Sequence, residues 1–339
     1  MMRIVLDAMG SDTHPAPELD AAVQAYKLWG DPILLVGPQQ ILSANLQTMG
    51  VPEGQVTLIH APDVLEMTDK PAKAARAKAE TSMSVGMTLL KNGEADAFVT
   101  AGNTGGAMAT ALFTLGRIRG VKRPAVSPTV PVKNGTAVML DLGANADCRP
   151  EFLVQFAVMG AIYAERVHSR QNPRVGLLSN GEEAGKGNML VKETFPLLEA
   201  SGLNFIGNVE PKEIYGGVAD VIVTDGFTGN VFLKTSESVS RFLLEMVRDE
   251  IVSSPITAIG GQLAKPAFSK IRKVLDPSEY GAAPLLGVDG LVFIGHGRSD
   301  AKALVSAIRV ARQAVGSRVL DATRTAIRER LQKSEEALA

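Results

Sequence analysis

The sequence is poor in several things that would point to particular functions. It holds one cysteine, Cys148, so no internal disulfide can form, and a reducing compartment is the expectation. Aromatic residues make up 5% and the formal net charge is −1, with no basic tail and no interleaving of basic and aromatic residues. Nucleic acid is therefore not an expected partner. No apolar run approaches the roughly 20 residues of a membrane-spanning helix. The first residues lead straight into a strand-like run, Met2 to Asp7, without the charged, apolar and small segments of a signal peptide. The four histidines, His14, His60, His168 and His296, lie far apart, and neither HExxH nor CxxC spacing occurs. No metal and no cofactor is expected. Neither GxGxxG nor GxxxxGK[ST] is present, so nucleotide binding lacks its usual signature.

What the chain does have is glycine, 33 residues of it, and 45% hydrophobic residues over a length of 339. That composition suits one sizeable core crossed by many tight turns. Short apolar runs at Ile4–Asp7, Ile33–Gly37, Val56–His60, 97–101, 136–142, 174–180, 204–207 and 218–224 alternate with amphipathic stretches such as 18–29, Ser82–Lys91, 104–116 and 152–167. Runs without polar alternation are those of strands buried on both faces. The rhythm predicts a doubly wound, mostly parallel sheet sandwiched by helices. Lys133-Asn134-Gly135 reads as a hairpin turn, which makes the sheet mixed. After Gly229 the pattern becomes helical. A long helix is expected over 231–252, and a second helical stretch over 257–275, broken at Gly260-Gly261 and Pro266. We expect a single α/β domain over 1–339 with a protruding helical hairpin at 231–275.

The polar residues gather where strands end. Asp7 and Gly10 follow the first strand; Gly102, Asn103, Thr104 and Gly105 follow another. Asp141 and Asn145 follow a third. Asn180, Gly181, Gly185, Lys186, Gly187 and Asn188 form one further loop, and Asp225, Gly229 and Asn230 another. In an open parallel sheet such ends share an edge, where main-chain N–H groups and helix N-termini can cradle an anion. Each loop taken singly reads as a helix cap or a turn. Five together, with a lysine between two glycines, read as an anion site. His296, in Gly295-His-Gly-Arg-Ser299, either reaches that site or fixes its loop. Cys148 has no neighbouring base or cation in the sequence and is read as an inert thiol.

These loops, in this order, resemble the bacterial phosphate acyltransferases of phospholipid synthesis (acyl-acyl carrier protein:phosphate acyltransferases, the PlsX family). Asp7-Ala-Met-Gly, Ala101-Gly-Asn-Thr-Gly, Asp141-Leu-Gly-Ala-Asn145, Asn180-Gly-Glu-Glu, Gly185-Lys-Gly-Asn188, Thr224-Asp-Gly-Phe-Thr-Gly-Asn230 and Gly295-His-Gly carry the resemblance across nearly the whole chain. The chain departs from it at Ser11, where the family usually has glycine. The resemblance implies a fold like that of isocitrate and isopropylmalate dehydrogenases and a homodimer. It implies transfer of a long fatty acyl group from acyl-acyl carrier protein (acyl-ACP) to inorganic phosphate, feeding a membrane acyl-phosphate:glycerol-3-phosphate acyltransferase. The setting is the cytoplasm, at the inner face of the membrane. Phosphate is already anionic at pH 7, so the enzyme must position it and stabilise an oxyanion. On that footing Lys186 neutralises phosphate or oxyanion, and Asn188 and Asn230 donate to them. Asp225 orients Lys186, and His296 protonates the departing thiolate. Asn103, Thr104 and Asn145 complete the cradle. Ile256, Ile259, Leu263 and Phe268, with Lys265, Lys270, Arg272 and Lys273, are expected to touch the membrane or the acidic carrier. A coenzyme A-dependent short-chain phosphate acetyl- or butyryltransferase, an isopropylmalate dehydrogenase-like oxidoreductase and a non-enzymatic scaffold are the competing readings.

Overall fold

The computed structural model describes residues 1–336 apart from Asn134, the centre of the expected 133–135 turn. The first half runs β1 (Ile4–Asp7), α1 (Ala16–Trp29), β2 (Ile33–Gly37), α2 (Gln39–Thr48), β3 (Val56–His60), α3 (Pro71–Ala77), α4 (Ser82–Lys91), β4 (Ala97–Thr100) and α5 (Thr104–Thr114). It continues through β5 (Ala125–Val126), β6 (Thr129–Val132), β7 (Gly135–Leu140), α6 (Pro150–His168), β8 (Val175–Leu178), α7 (Met189–Glu199), β9 (Phe205–Val209), α8 (Pro211–Gly216) and β10 (Val221–Val223). Two long helices follow, α9 (Gly226–Val252) and α10 (Pro255–Leu275), then β11 (Ala283–Leu286), β12 (Val292–Ile294), α11 (Ala301–Ser317) and α12 (Val319–Glu336).

Strands and helices alternate as the apolar runs require, but the strands divide between two sheets rather than joining in one. The first sheet has the order β3-β2-β1-β4-β12-β11-β5 and the second β6-β7-β10-β8-β9. Within the first, β3, β2, β1, β4 and β12 are parallel, and β11 and β5 pair antiparallel at one edge. Within the second, β7, β10, β8 and β9 are parallel and β6 is antiparallel. The chain passes from one sheet to the other between β5 and β6. Pro128 sits in that passage and has no N–H with which to extend either ladder. Every residue of β1, β4, β8 and β10 is buried, which explains why these runs show no alternation. One apolar cluster, with Phe156, Met159 and Tyr163 of α6 among its members, takes in residues of both sheets.

The sequence gives α10 two breaks that the fold does not have: it is continuous through Gly260-Gly261 and Pro266. Residues around Pro266 are exposed, so the carbonyl freed by the missing N–H meets water instead of a dry core. Gly261 has a packing purpose, because a side chain there would strike Ile251 of α9. Ser253-Ser254 joins α9 to α10, and the Ser254 hydroxyl and Thr257 form a capping box.

Candidate active site

The carboxylate of Asp141, at the end of β7, is wholly buried. It accepts hydrogen bonds from the N–H groups of Val126 (2.9 Å), Leu142 (2.7 Å) and Asn145 (2.7 Å) and from the Asn145 amide (3.0 Å). Burial pushes its carboxyl above the ordinary range against the pull of those donors. The other proton of the Asn145 amide goes to the Pro124 carbonyl at 2.7 Å. Asn145 is therefore spent on holding this loop and offers no donor to a ligand, contrary to the sequence expectation.

Helix α9 starts against the same loop. The Gly226 N–H donates to the Asn145 carbonyl at 2.8 Å, and a side chain at Gly229 would collide with the Asp141 carbonyl. Gly229 is thus a packing glycine. The Asp225 carboxylate caps the helix, accepting from the Thr228 N–H (2.8 Å) and hydroxyl (2.7 Å). Each of its carboxylate oxygens is engaged by Thr228, and among the described residues Asp225 makes no contact with Lys186. Asn230, one turn into α9, is exposed beside Gly143, and its amide makes no hydrogen bond among the described residues.

The loop after β8 is built differently. The Asn180 Oδ1 accepts from the Gly187 N–H at 2.9 Å, and the Lys186 N–H donates to the Glu183 carbonyl at 2.9 Å. Asn208 supports it from below, donating to the Glu183 carbonyl at 2.9 Å. The Lys186 stem lies over Gly181, where a Cβ would stand 2.7 Å from Cγ. Lys186 itself is exposed and forms no ion pair among the described residues. Gly187 (φ 95°) occupies a backbone region that favours glycine, whereas Gly185 stands in open space. The Asn188 Oδ1 caps α7 through the Val191 N–H at 3.0 Å, which leaves its Nδ2 available as a donor.

This loop and the start of α9 flank an open cleft of about 880 Å³, within the usual range for ligand sites. Leu178, Val191, Tyr215, Val231, Phe232 and Val239 give it an apolar wall, and the Tyr215 and Phe232 rings stack at 5.7 Å. Ser179, Asn180, Gly187, Asn188 and Thr224 form its polar end. Lys212 also lines it, but that ammonium is tied to Glu210 (2.5 Å) and Glu182 (3.3 Å), which raise its affinity for the proton.

The loops of the first sheet are consumed by folding. Asp7 is 1% exposed, bonded to the Thr100 hydroxyl (2.7 Å) and the Met9 N–H (3.0 Å), and burial pushes its carboxyl up. With its carboxyl buried and bonded within the fold, Asp7 presents no exposed group to a ligand. Gly10 packs against the Ala101 and Gly102 N–H groups, Gly102 against Met83, and Gly105 against Pro71. Asn103 caps α5 through the Gly106 N–H (2.9 Å) and donates to the Met67 carbonyl (3.0 Å); both ends of its amide are occupied. Thr104 opens α5 behind it.

His296 leaves β12 and faces α9, its Nε2 3.9 Å from the Glu237 carboxylate. Burial holds its imidazole below the ordinary value, opposed by Glu237 and assisted by Arg298 and Lys234. Helix α9 therefore stands between the two groups of loops. Thr228, Val231, Phe232, Thr235 and Val239 turn to the cleft, and Glu237 turns to His296 and Arg298. Cys148 is a poor nucleophile: burial first, then Asp141, push its thiol up to about 12. Among the described residues, no three His, Cys, Asp or Glu side chains converge on a common point.

The exposed apolar residues concentrate on the two long helices. Ile256, Ile259 and Leu263 are 83%, 66% and 81% exposed, and α10 buries none of its residues. Phe268 is only half-exposed; Lys265, Lys270, Arg272 and Lys273 are exposed. No helix among the described residues is long and apolar enough to cross a membrane.

Sequence inspection missed Ser179, Tyr215 and Phe232 as cleft residues and Glu237 as the neighbour of His296. The signal for Phe232 was there, in the periodicity of α9, but periodicity does not say which face meets a cleft.

The family model of fatty acid synthesis proteins matches residues 2–322. A phosphate acyltransferase of Elusimicrobium minutum is 47% identical over 317 residues, 93% of each chain. Another, of Dictyoglomus turgidum, is 47% identical over 316 residues, 93% of this chain and 94% of its own. Among solved structures, a phosphotransacetylase from Streptococcus pyogenes superposes with a TM-score of 0.60 at 15% identity, covering 93% of this chain and 94% of its own. A 4-hydroxythreonine-4-phosphate dehydrogenase from Klebsiella pneumoniae gives 0.55 at 12%, covering 93% and 100%. At such identities these structures speak for the fold alone. Over more than nine tenths of its length the chain matches phosphate acyltransferases, and it belongs to the phosphate acyltransferase family of fatty acid synthesis proteins.

Proposed function

We propose that the enzyme transfers a long fatty acyl group from acyl-acyl carrier protein to inorganic phosphate, and that the apolar cleft beside α9 holds the acyl chain. The observation that carries this reading is the cleft's polarity. One end offers Asn180, Gly187, Asn188 and Thr224, while its walls are Leu178, Val191, Phe232, Val231 and Val239. A two-carbon acyl group leaves such a wall wet, which favours the long-chain reading over the short-chain one.

An oxygen of HPO4²⁻ attacks the thioester carbonyl carbon. The C–O bond forms and the C–S bond breaks, with the electron pair leaving on sulfur. The proton carried by phosphate ends on the departing thiol, so the reaction consumes no net acid. Lys186, without an ion pair among the described residues, offsets the charge of phosphate and oxyanion, and the unengaged amide of Asn188 donates to them. The apolar tip Ile256, Ile259 and Leu263 with its basic neighbours suits contact with an anionic membrane or the carrier. The exposed side of α9, with Phe242, Leu243 and Met246, suits a second copy of the chain.

The test is phosphate-dependent release of carrier thiol from palmitoyl-acyl carrier protein, with Lys186→Ala alongside. Release that needs phosphate and falls strongly in the variant supports the reading. Release only from acetyl- or butyryl-coenzyme A moves the assignment to a short-chain transferase.

A further inference from the structure

We propose that inorganic phosphate is seated at the N-terminus of α7, held by the main-chain N–H groups of Asn188, Met189 and Leu190 and by the hydroxyl of Ser179. The proposal rests on the reading of phosphate as acyl acceptor and names where it sits.

The helices that begin at the strand-end loops singled out by the sequence, α5, α7 and α9, do not have equivalent termini. At α5 both ends of the Asn103 amide are bonded, and Gly105 is wedged against Pro71. At α9 the cap is the carboxylate of Asp225, whose negative charge repels phosphate, and the Gly226 N–H already serves the Asn145 carbonyl. At α7 the cap is a neutral amide. Among the described residues, the N–H groups of Asn188, Met189 and Leu190 meet no acceptor. An anion there completes donors that the helix leaves open.

Ser179 supplies the independent observation. It is 8% exposed, lines the cleft, and its hydroxyl has no hydrogen-bond partner. A buried hydroxyl without a partner is costly, and a native structure keeps one where a ligand completes it. The Oγ lies against Gly187, the residue that leads into α7: a Cβ built there would stand 3.2 Å from it.

Two variants of the full-length enzyme probe the seat separately. Ser179→Ala removes the hydroxyl. Met189→Pro removes one N–H at the first helical position, where proline is tolerated, and Asn188 (φ −76°, ψ −179°) already has the extended backbone that precedes proline. The Met189 side chain is 75% exposed, so no core packing is lost. For each variant the KM for phosphate should rise about tenfold, as for a lost hydrogen bond to a charged group, with the KM for the acyl donor unchanged. Titration with inorganic phosphate alone, followed by calorimetry, should show the same weakening. Phosphate KM and affinity within twofold of wild type in both variants would overturn the seat while leaving the reaction intact. A rise in donor KM instead would also overturn it, placing the thioester carbonyl at α7. Should wild type bind phosphate but release thiol from no thioester, with both variants binding phosphate more weakly, the seat stands and the acyl-transfer reading falls.

Discussion

The strand-end loops of the two sheets look alike in sequence and differ in what they leave free. After β1 and β4, Asp7, Asn103 and the glycines are occupied: the carboxylate by Thr100, the amide by Gly106 and Met67, and the glycines by neighbouring backbone and side chains. After β8, Lys186 has no counter-ion, Asn188 keeps its amide protons, and the Ser179 hydroxyl has no partner among the described residues. The loops after β7 and β10 stand between these extremes, clamped together by Asp141 but carrying the open amide of Asn230. A residue type suited to binding anions is equally suited to closing a turn. Only the inventory of unspent donors separates the two uses.

The comparison can be broken at its strongest point. Asp141→Ala strands the N–H groups of Val126, Leu142 and Asn145 in a dry site, and should cost about 3–5 kcal/mol of stability, read from urea midpoints. A loss under 1 kcal/mol would show that the clamp is not what holds α9 to β7. Next comes Lys186→Ala, which should lower kcat by about 10²–10³ while the urea midpoint stays put, since the ammonium is exposed and unpaired. Near-normal turnover would remove Lys186 from the chemistry. Asn103→Ala is the mirror case. Losing the α5 cap should cost about 1–2 kcal/mol, and the phosphate KM should not move. A weakened phosphate KM in a stable variant would restore Asn103 to the cradle.

The smallest effect concerns pH. His168, buried beside Arg170 with its Nε2 3.2 Å from the Thr129 hydroxyl, has its pKa lowered by burial first and by Arg170 second. The unfolded chain therefore takes up this proton more readily than the native one. The contribution of His168 is fully present above the ordinary histidine value, near 6.5, and declines as pH falls below it. The stability advantage of wild type over His168→Gln should shrink from pH 7 to pH 5.5. A constant difference across that window would mean that the ring titrates normally.

Much of the fold was legible because buried parallel strands leave an unambiguous mark. Ile4–Asp7 and Ile33–Gly37 are uninterrupted runs bounded by turn residues, and they form strands at those bounds. The β6–β7 hairpin was legible from its turn, but the division into two sheets was not, since β5 leaves that hairpin to pair with β11, far along the chain. The continuity of α10 was likewise hidden: proline and paired glycines mark breaks on average, but an exposed helix packed on α9 through Gly261 absorbs them. For the site, the loop after β8 was legible through its Gly-Lys-Gly. At Asp225 the capping role came from the structure: an aspartate three residues before a threonine at a helix start serves the helix.

By itself the sequence determined the α/β class, the strand-end placement of the polar loops and the family, since periodicity and ordered motifs are local and survive without coordinates. Which of those polar groups remain free was decided by the tertiary structure alone. Hydrogen-bond capacity is finite, and whether Asn103, Asn145 or Ser179 has any left depends on neighbours that the chain brings close only when it folds.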